Sequence, residues 1–109
     1  MTERKRPRPP WVKTLRLRGH DPSRGEPKPE LLMEDVRQGV LDGLFEAGAL
    51  LPEMPQLRQM YALSQDGVRD AMLCLRREGI ANLHDEYEET YFVDDDYVRS
   101  VRETSGDAG

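Results

Sequence analysis

Cysteine is nearly missing from this chain of 109 residues. The single Cys74 excludes an internal disulfide and leaves no thiolate pair for a structural zinc site. Histidine is almost as scarce, and His20 and His84 lie too far apart in sequence to form a metal motif. No apolar run approaches the roughly 20 residues that cross a bilayer. The basic N-terminus lacks the apolar stretch of a signal peptide, so a cytoplasmic protein with no membrane partner is expected. Lysine is rare too, at three residues against thirteen arginines, a ratio in keeping with a GC-rich bacterial genome. No phosphate-binding loop, nucleophile elbow or metal motif occurs. The carboxylates gather in polar stretches where nothing would shift their pKa. The expected protein is not an enzyme and takes no cofactor.

What is present is charge, unevenly spread. Hydrophobic residues make up 37% and charged residues 34%, which fits one small domain with solvated tails. The net charge of -5 hides an asymmetry. Residues 1–18 hold seven Lys or Arg against one Glu, whereas residues 84–109 hold nine Asp or Glu against two Arg. A basic arm on an otherwise acidic chain is either a solvated tail, a partner for its own acidic end, or a contact for a polyanion.

Three segments follow. Residues 1–28 carry Pro7, Pro9, Pro10, Pro22 and Pro27 among basic residues and read as an extended arm. Within it Trp11, Val12, Leu15 and Leu17 could form a short docking strand. Residues 29–93 form the domain. Pro29 and Glu30 suit the first turn of a helix, Leu32, Val36 and Val40 give it one buried stripe, and Gly43 ends it. The connection through Gly48 and Pro52 reads as irregular. Pro55 opens a second, short helix with Leu57, Met60 and Tyr61, and Ala62 and Leu63 make the turn. Ser64 caps a third helix that buries Val68, Ala71, Met72 and Leu75 and stops at Gly79. Residues 80–83 and 90–93 read as paired strands. The expected fold is mainly α with a small β-hairpin: a winged helix-turn-helix with a three-helix core and a two-stranded wing. Phe92 is expected to share the core with Val36, Val40, Leu57, Val68, Ala71 and Leu75. Residues 94–109 read as a short acidic helix capped by Asp94, with disorder from Ser105 to Gly109.

From about Leu32 to Val93 the chain resembles the DNA-binding domain of the GntR family of bacterial transcription regulators. The resemblance rests on Gly43, Gly48, Leu51-Pro52, Leu57, Ser64, Val68-Arg69, Ala71, Leu75, Glu78-Gly79 and Phe92-Val93. It implies a third helix that enters the major groove and a wing beside it. The family's Leu-Pro-Ser-Glu-Arg, whose Ser and Arg face phosphates, is replaced by Glu53 and Pro55 at those two positions. Its Ser-Arg-x-Thr-Val-Arg becomes Ser64-Gln65-Asp66-Gly67-Val68-Arg69, and its basic wing becomes Asp85, Glu86, Glu88 and Glu89. Members of the family continue into a ligand-binding domain, whereas 16 residues follow Val93, so no small-molecule effector is expected.

On a helical wheel the outer line of the third helix is Asp66, Asp70, Leu73 and Arg77, flanked by Gln65 and Arg69. Gln and Arg read adenine and guanine edges, and Asp accepts from cytosine. The same face could be a protein interface or merely solvated. The candidate DNA-binding residues are Arg4, Lys5, Arg6 and Arg8 of the arm, Arg58 of the second helix, and Ser64, Gln65, Asp66 and Arg69. Cys74, beside the buried stripe, is expected to pack. The leading expectation is a sequence-specific DNA-binding transcription regulator, a repressor or accessory factor, acting as a homodimer or with a partner. The alternative is a winged-helix adaptor or DNA mimic whose acidic wing and tail bind protein.

Overall fold

A proline with no N–H to lose starts the first helix. The computed structural model describes residues 6, 7, 14–88 and 90–106, and in it α1 spans Pro29–Leu41 with Pro29 in the first turn. Leu32, Val36 and Val40 are buried along one side, as their spacing requires. Gly39 is buried beside them because the ring of Phe45 lies over it. A Cβ at position 39 would meet that ring at 2.2 Å.

The next two helices follow after a loop. Helix α2 spans Met54–Tyr61 and opens on Glu53, whose N–H donates to Gln56 Oε1 at 3.2 Å. Helix α3 spans Gln65–Arg77 and is capped by Ser64, whose Oγ accepts from the Gly67 N–H at 3.1 Å. Between them Ala62 takes the left-handed conformation, φ 53° and ψ 42°, and turns the chain sharply. Helix α3 buries Val68, Ala71, Met72 and Leu75 against both α1 and α2. This four-residue stripe is the centre of the core, and each member is fully covered.

The hairpin pairs β1, Ala81–Leu83, with β2, Tyr91–Val93, in antiparallel register: Ala81 opposite Val93, Asn82 opposite Phe92, Leu83 opposite Tyr91. That register corrects one expectation. Ala81 and Val93 face the core and are buried, so the pleat turns Phe92 to the other face. There Phe92 is half-buried with its edge toward His84, ring centroids 6.1 Å apart. The phenylalanine that does enter the core is Phe45.

The connection is irregular, as expected, but it bridges to the hairpin at one residue. The Leu51 N–H donates to Tyr91 O and the Val93 N–H to Ala49 O, both at 2.9 Å, on the free side of β2. Leu50 is thereby bridged to Phe92. Beyond it Thr14 runs parallel to Leu50, and the Leu15 N–H reaches Leu50 O at 2.7 Å.

Residues 14–28 therefore lie on the body and not in a free arm. Leu17 is buried. The His20 N–H donates to Met60 O at 2.7 Å, and Gly19 takes φ +78° where a Cβ would press on that same carbonyl at 3.0 Å. After a 3-10 turn at Pro22–Arg24, the Arg24 guanidinium enters the interior and grips Asp35 of α1 with two bonds of 2.8 Å. The expected docking of Leu15 and Leu17 is seen, through one bridge at Thr14 and not as a strand, while Trp11 and Val12 lie outside the described residues.

Asp94 accepts from the N–H groups of Asp96 and Tyr97 at 2.9 and 3.3 Å and so caps α4, Asp95–Gly106. The helix runs through Ser105 and Gly106, which were expected to be disordered. Val98 is buried where α4 meets α1. The element order and the hairpin are consistent with a winged-helix fold.

Candidate nucleic-acid interface

Because α3 turns Val68, Ala71, Met72 and Leu75 inward, its opposite face is fixed by geometry. Asp66, Arg69, Asp70, Leu73 and Arg77 are exposed on it, together with Gln65 at its start. Leu73 is an apolar side chain on this polar face, 39% exposed. Cys74 is half-buried at the stripe's margin.

The turn at Ala62 brings the start of α3 against the start of α2, and the turn-side ends of β1 and β2 close the third side. An open cleft of about 260 Å³ results, lined by Arg58, Gln65 and Arg69 with Met54, Pro55, Leu83 and Tyr91. Three of the residues singled out from sequence thus meet at one place although they come from two helices. Arg58 projects from the middle of α2, and its chain carbonyl is tied up by the turn, accepting from the Leu63 N–H at 3.1 Å. Arg69 lies one turn along α3 from Asp66, 3.9 Å between charged atoms. Both partners are largely exposed, so this pair is worth well under about 1 kcal/mol and leaves the guanidinium free to swing.

The other sequence-chosen residues fare differently. Ser64 is at the mouth of α3, where its oxygen serves as the cap. Asp66 is solvent-facing and contributes negative charge at the helix start. Arg4, Lys5 and Arg8 lie outside the described residues. Arg6 is described, and its main chain is bonded to the wing. The Arg6 N–H donates to Glu86 O at 2.7 Å, and the Glu88 N–H donates to Arg6 O at 2.9 Å.

The wing turn has its own brace. The Nδ1 atom of His84 accepts from the N–H groups of Glu86 and Tyr87 at 3.0 and 3.3 Å, which fixes the acceptor tautomer at that nitrogen. The Tyr87 ring stacks on the imidazole, centroids 4.6 Å apart and 13° from parallel. Asp85, Glu86 and Glu88 remain exposed around the turn. Three carboxylates at a wing tip repel phosphate, whereas two arginines and a glutamine in the cleft attract it.

The α1–α2 junction holds a polar arrangement that sequence reasoning missed. Tyr61, the last residue of α2, is fully buried and donates its hydroxyl to Asp35 Oδ2. Burial, and then this bond, push the Tyr61 hydroxyl well above the ordinary tyrosine pKa. Its bond to Asp35 raises the Arg24 guanidinium. Only the fold unites Arg24, Asp35 and Tyr61, and their spacing in sequence carries no signal.

Among the described residues no helix is long and apolar enough to cross a membrane. No family model matches the chain, and no curated protein matches it. A solved structure does. YtrA from Sulfolobus acidocaldarius, a GntR-family transcription factor, superposes with a TM-score of 0.54 over 73% of this chain and 86% of that one. At 17% identity the likeness is one of fold.

Proposed function

We propose that this chain is a small sequence-specific DNA-binding transcription regulator of GntR-like winged-helix type. Helix α3 would enter the major groove, with Arg69 and Gln65 at base edges and Arg58 at a phosphate. The observation that carries this reading is the cleft. The helix-turn-helix and the turn-side ends of the hairpin strands gather Arg58, Gln65 and Arg69 on the one side of α3 that the core does not use. The fold shared with a GntR-family transcription factor supports it. The family's bacterial members suggest a cytoplasmic repressor or accessory factor, and two copies on a two-fold operator would double the contact. Enrichment of binding sites from a randomised duplex pool tests the reading. A recovered consensus whose affinity is reduced in Arg69→Ala supports it, and a pool without consensus refutes sequence-specific recognition.

A second reading has its own observation. Asp66 and Asp70 on the exposed face of α3, with Asp85, Glu86 and Glu88 on the wing, form an acidic margin that suits a basic protein better than DNA. In that case the domain is an adaptor or DNA mimic. Pull-downs with and without nuclease distinguish the two, because a nuclease-resistant protein partner without associated DNA favours the adaptor.

A further inference from the structure

Arg6 stands in the middle of the basic run Arg4-Lys5-Arg6-Pro7-Arg8, yet it lies against the most acidic turn of the chain. The two bonds that hold it are both main-chain, Arg6 N–H to Glu86 O and Glu88 N–H to Arg6 O, which makes Arg6 a parallel strand partner of Tyr87. The guanidinium takes no part. Arg6 is exposed, and among the described residues it forms no ion pair with a wing carboxylate. The turn is shaped to offer this edge. His84 Nδ1 takes the N–H groups of Glu86 and Tyr87, and the Thr90 hydroxyl donates to the Glu88 carbonyl at 2.7 Å. Those bonds leave the carbonyl of Glu86 and the N–H of Glu88 to an added strand, the pattern by which extended peptides join sheet edges.

Resting on the DNA-binding reading above, we propose that the wing is a two-segment element: the hairpin supplies the backbone rail, and the N-terminal arm supplies the positive charge that the hairpin lacks, with Arg6 delivered to a DNA phosphate beside the wing. A wing carrying Asp85, Glu86 and Glu88 alone would be repelled by the duplex. With Arg6 seated by its main chain, the acidic turn carries a guanidinium that remains available to solvent. Seating also lowers the ordering cost of Arg6 on binding, since the position of its main chain is set beforehand.

Pinning the arm tests this. In the full chain with Cys74→Ser, the changes Arg6→Cys and Tyr87→Cys place two thiols on paired strands. Neighbouring strands lie about 4.8 Å apart, inside the Cα spacing of about 4.4–6.8 Å that a disulfide spans. The probe is a fluorescent duplex of random sequence, titrated across a salt series in oxidised and reduced forms of this one protein, so the lost Arg6 charge and any loosening from losing Tyr87 are common to both arms of the comparison. The expected result is that the oxidised form binds at least as tightly as the reduced form and keeps its salt slope. In the otherwise native chain, Arg6→Gln should lower that slope by up to about one unit, the contribution of one phosphate contact. An oxidised form weakened about tenfold or more would mean that the arm must leave the wing to act, and the two-segment wing would be wrong. An unchanged slope in Arg6→Gln would also overturn it. If the native chain itself binds no duplex, the DNA-binding reading has failed and the proposal fails with it. Binding by the native chain with either of the two adverse results fails the proposal alone.

Discussion

Tyr61 donates its hydroxyl to Asp35 Oδ2 at 2.5 Å, the same oxygen that Arg24 reaches at 2.8 Å. One carboxylate of α1 thus joins the end of α2 to the segment that precedes α1, and it does so with the Arg24 and Asp35 side chains only 8% and 10% exposed.

Breaking that junction should be costly. Asp35→Ala strands a buried guanidinium and is expected to destabilise the fold by about 3–5 kcal/mol. Tyr61→Phe leaves the ion pair intact and should cost about 0.5–1.5 kcal/mol. Urea unfolding of the two variants checks the order, and equal losses would show that the tyrosine and not the ion pair dominates.

The same contact sets an alkaline limit. The Tyr61 pKa is raised in the folded state, so its contribution is fully present below the ordinary tyrosine pKa of about 10 and is lost as pH rises beyond it. Stability should therefore fall above about pH 10, and the fall should be shallower in Tyr61→Phe. Thermal melts across that range measure it.

Gly39 and Phe45 form a second pair. Gly39→Ala should be strongly destabilising because its Cβ would sit 2.2 Å from the ring, and overpacking of this kind costs about 1–3 kcal/mol. Phe45→Ala should also destabilise, by about 3–5 kcal/mol. The double variant should lose less than the two single losses together, since removing the ring removes the clash. Strict additivity would mean that the two do not touch in solution.

At the interface Arg69→Ala should leave the melting temperature nearly unchanged, because its one ion pair among the described residues is exposed. Specific DNA binding should weaken by about 1–3 kcal/mol. An equal loss on specific and random duplexes would assign Arg69 to phosphate. Leu75→Ala is the contrasting control, expected to cost about 2–5 kcal/mol of stability.

Changing Glu88 and Glu89 to Gln removes two negative charges from the segment between the strands and should leave DNA binding equal or tighter. Weaker binding would mean that these carboxylates accept from bases or hold the arm in place.

Much of the helical frame is legible in the sequence because its signals are local. Ser64, the apolar spacing of Val68, Ala71, Met72 and Leu75, and the stop at Gly79 mark α3 at both ends. Arg58, Gln65 and Arg69 could be singled out the same way, although their meeting in one cleft depends on the turn at Ala62. The features that were not legible are pairings across distance. Ala49 to Leu51 is too short to alternate visibly, and its bridge at Leu50 depends on β2. Phe45 is in the core because Gly39 leaves room for its ring, and a missing side chain on a helix carries no periodic signal. Phe92 was misplaced because one residue of register turns a strand's faces over. Asp35 looks like any polar residue on the outside of α1 until Arg24 and Tyr61 are brought to it.

The seat of residues 14–25 has a consequence for how the chain is made. This segment leaves the ribosome before the groups that hold it, Leu50, Met60 and Asp35. The growing chain must therefore carry the main chain of Leu15 and the Arg24 guanidinium without these partners until α1, the edge at Leu50 and α2 have followed. Contacts so distant in sequence form slowly, and an open strand edge invites foreign pairing in the interval. Residues 14–25 act as a clasp, and bulk fused directly ahead of them would hinder its closing.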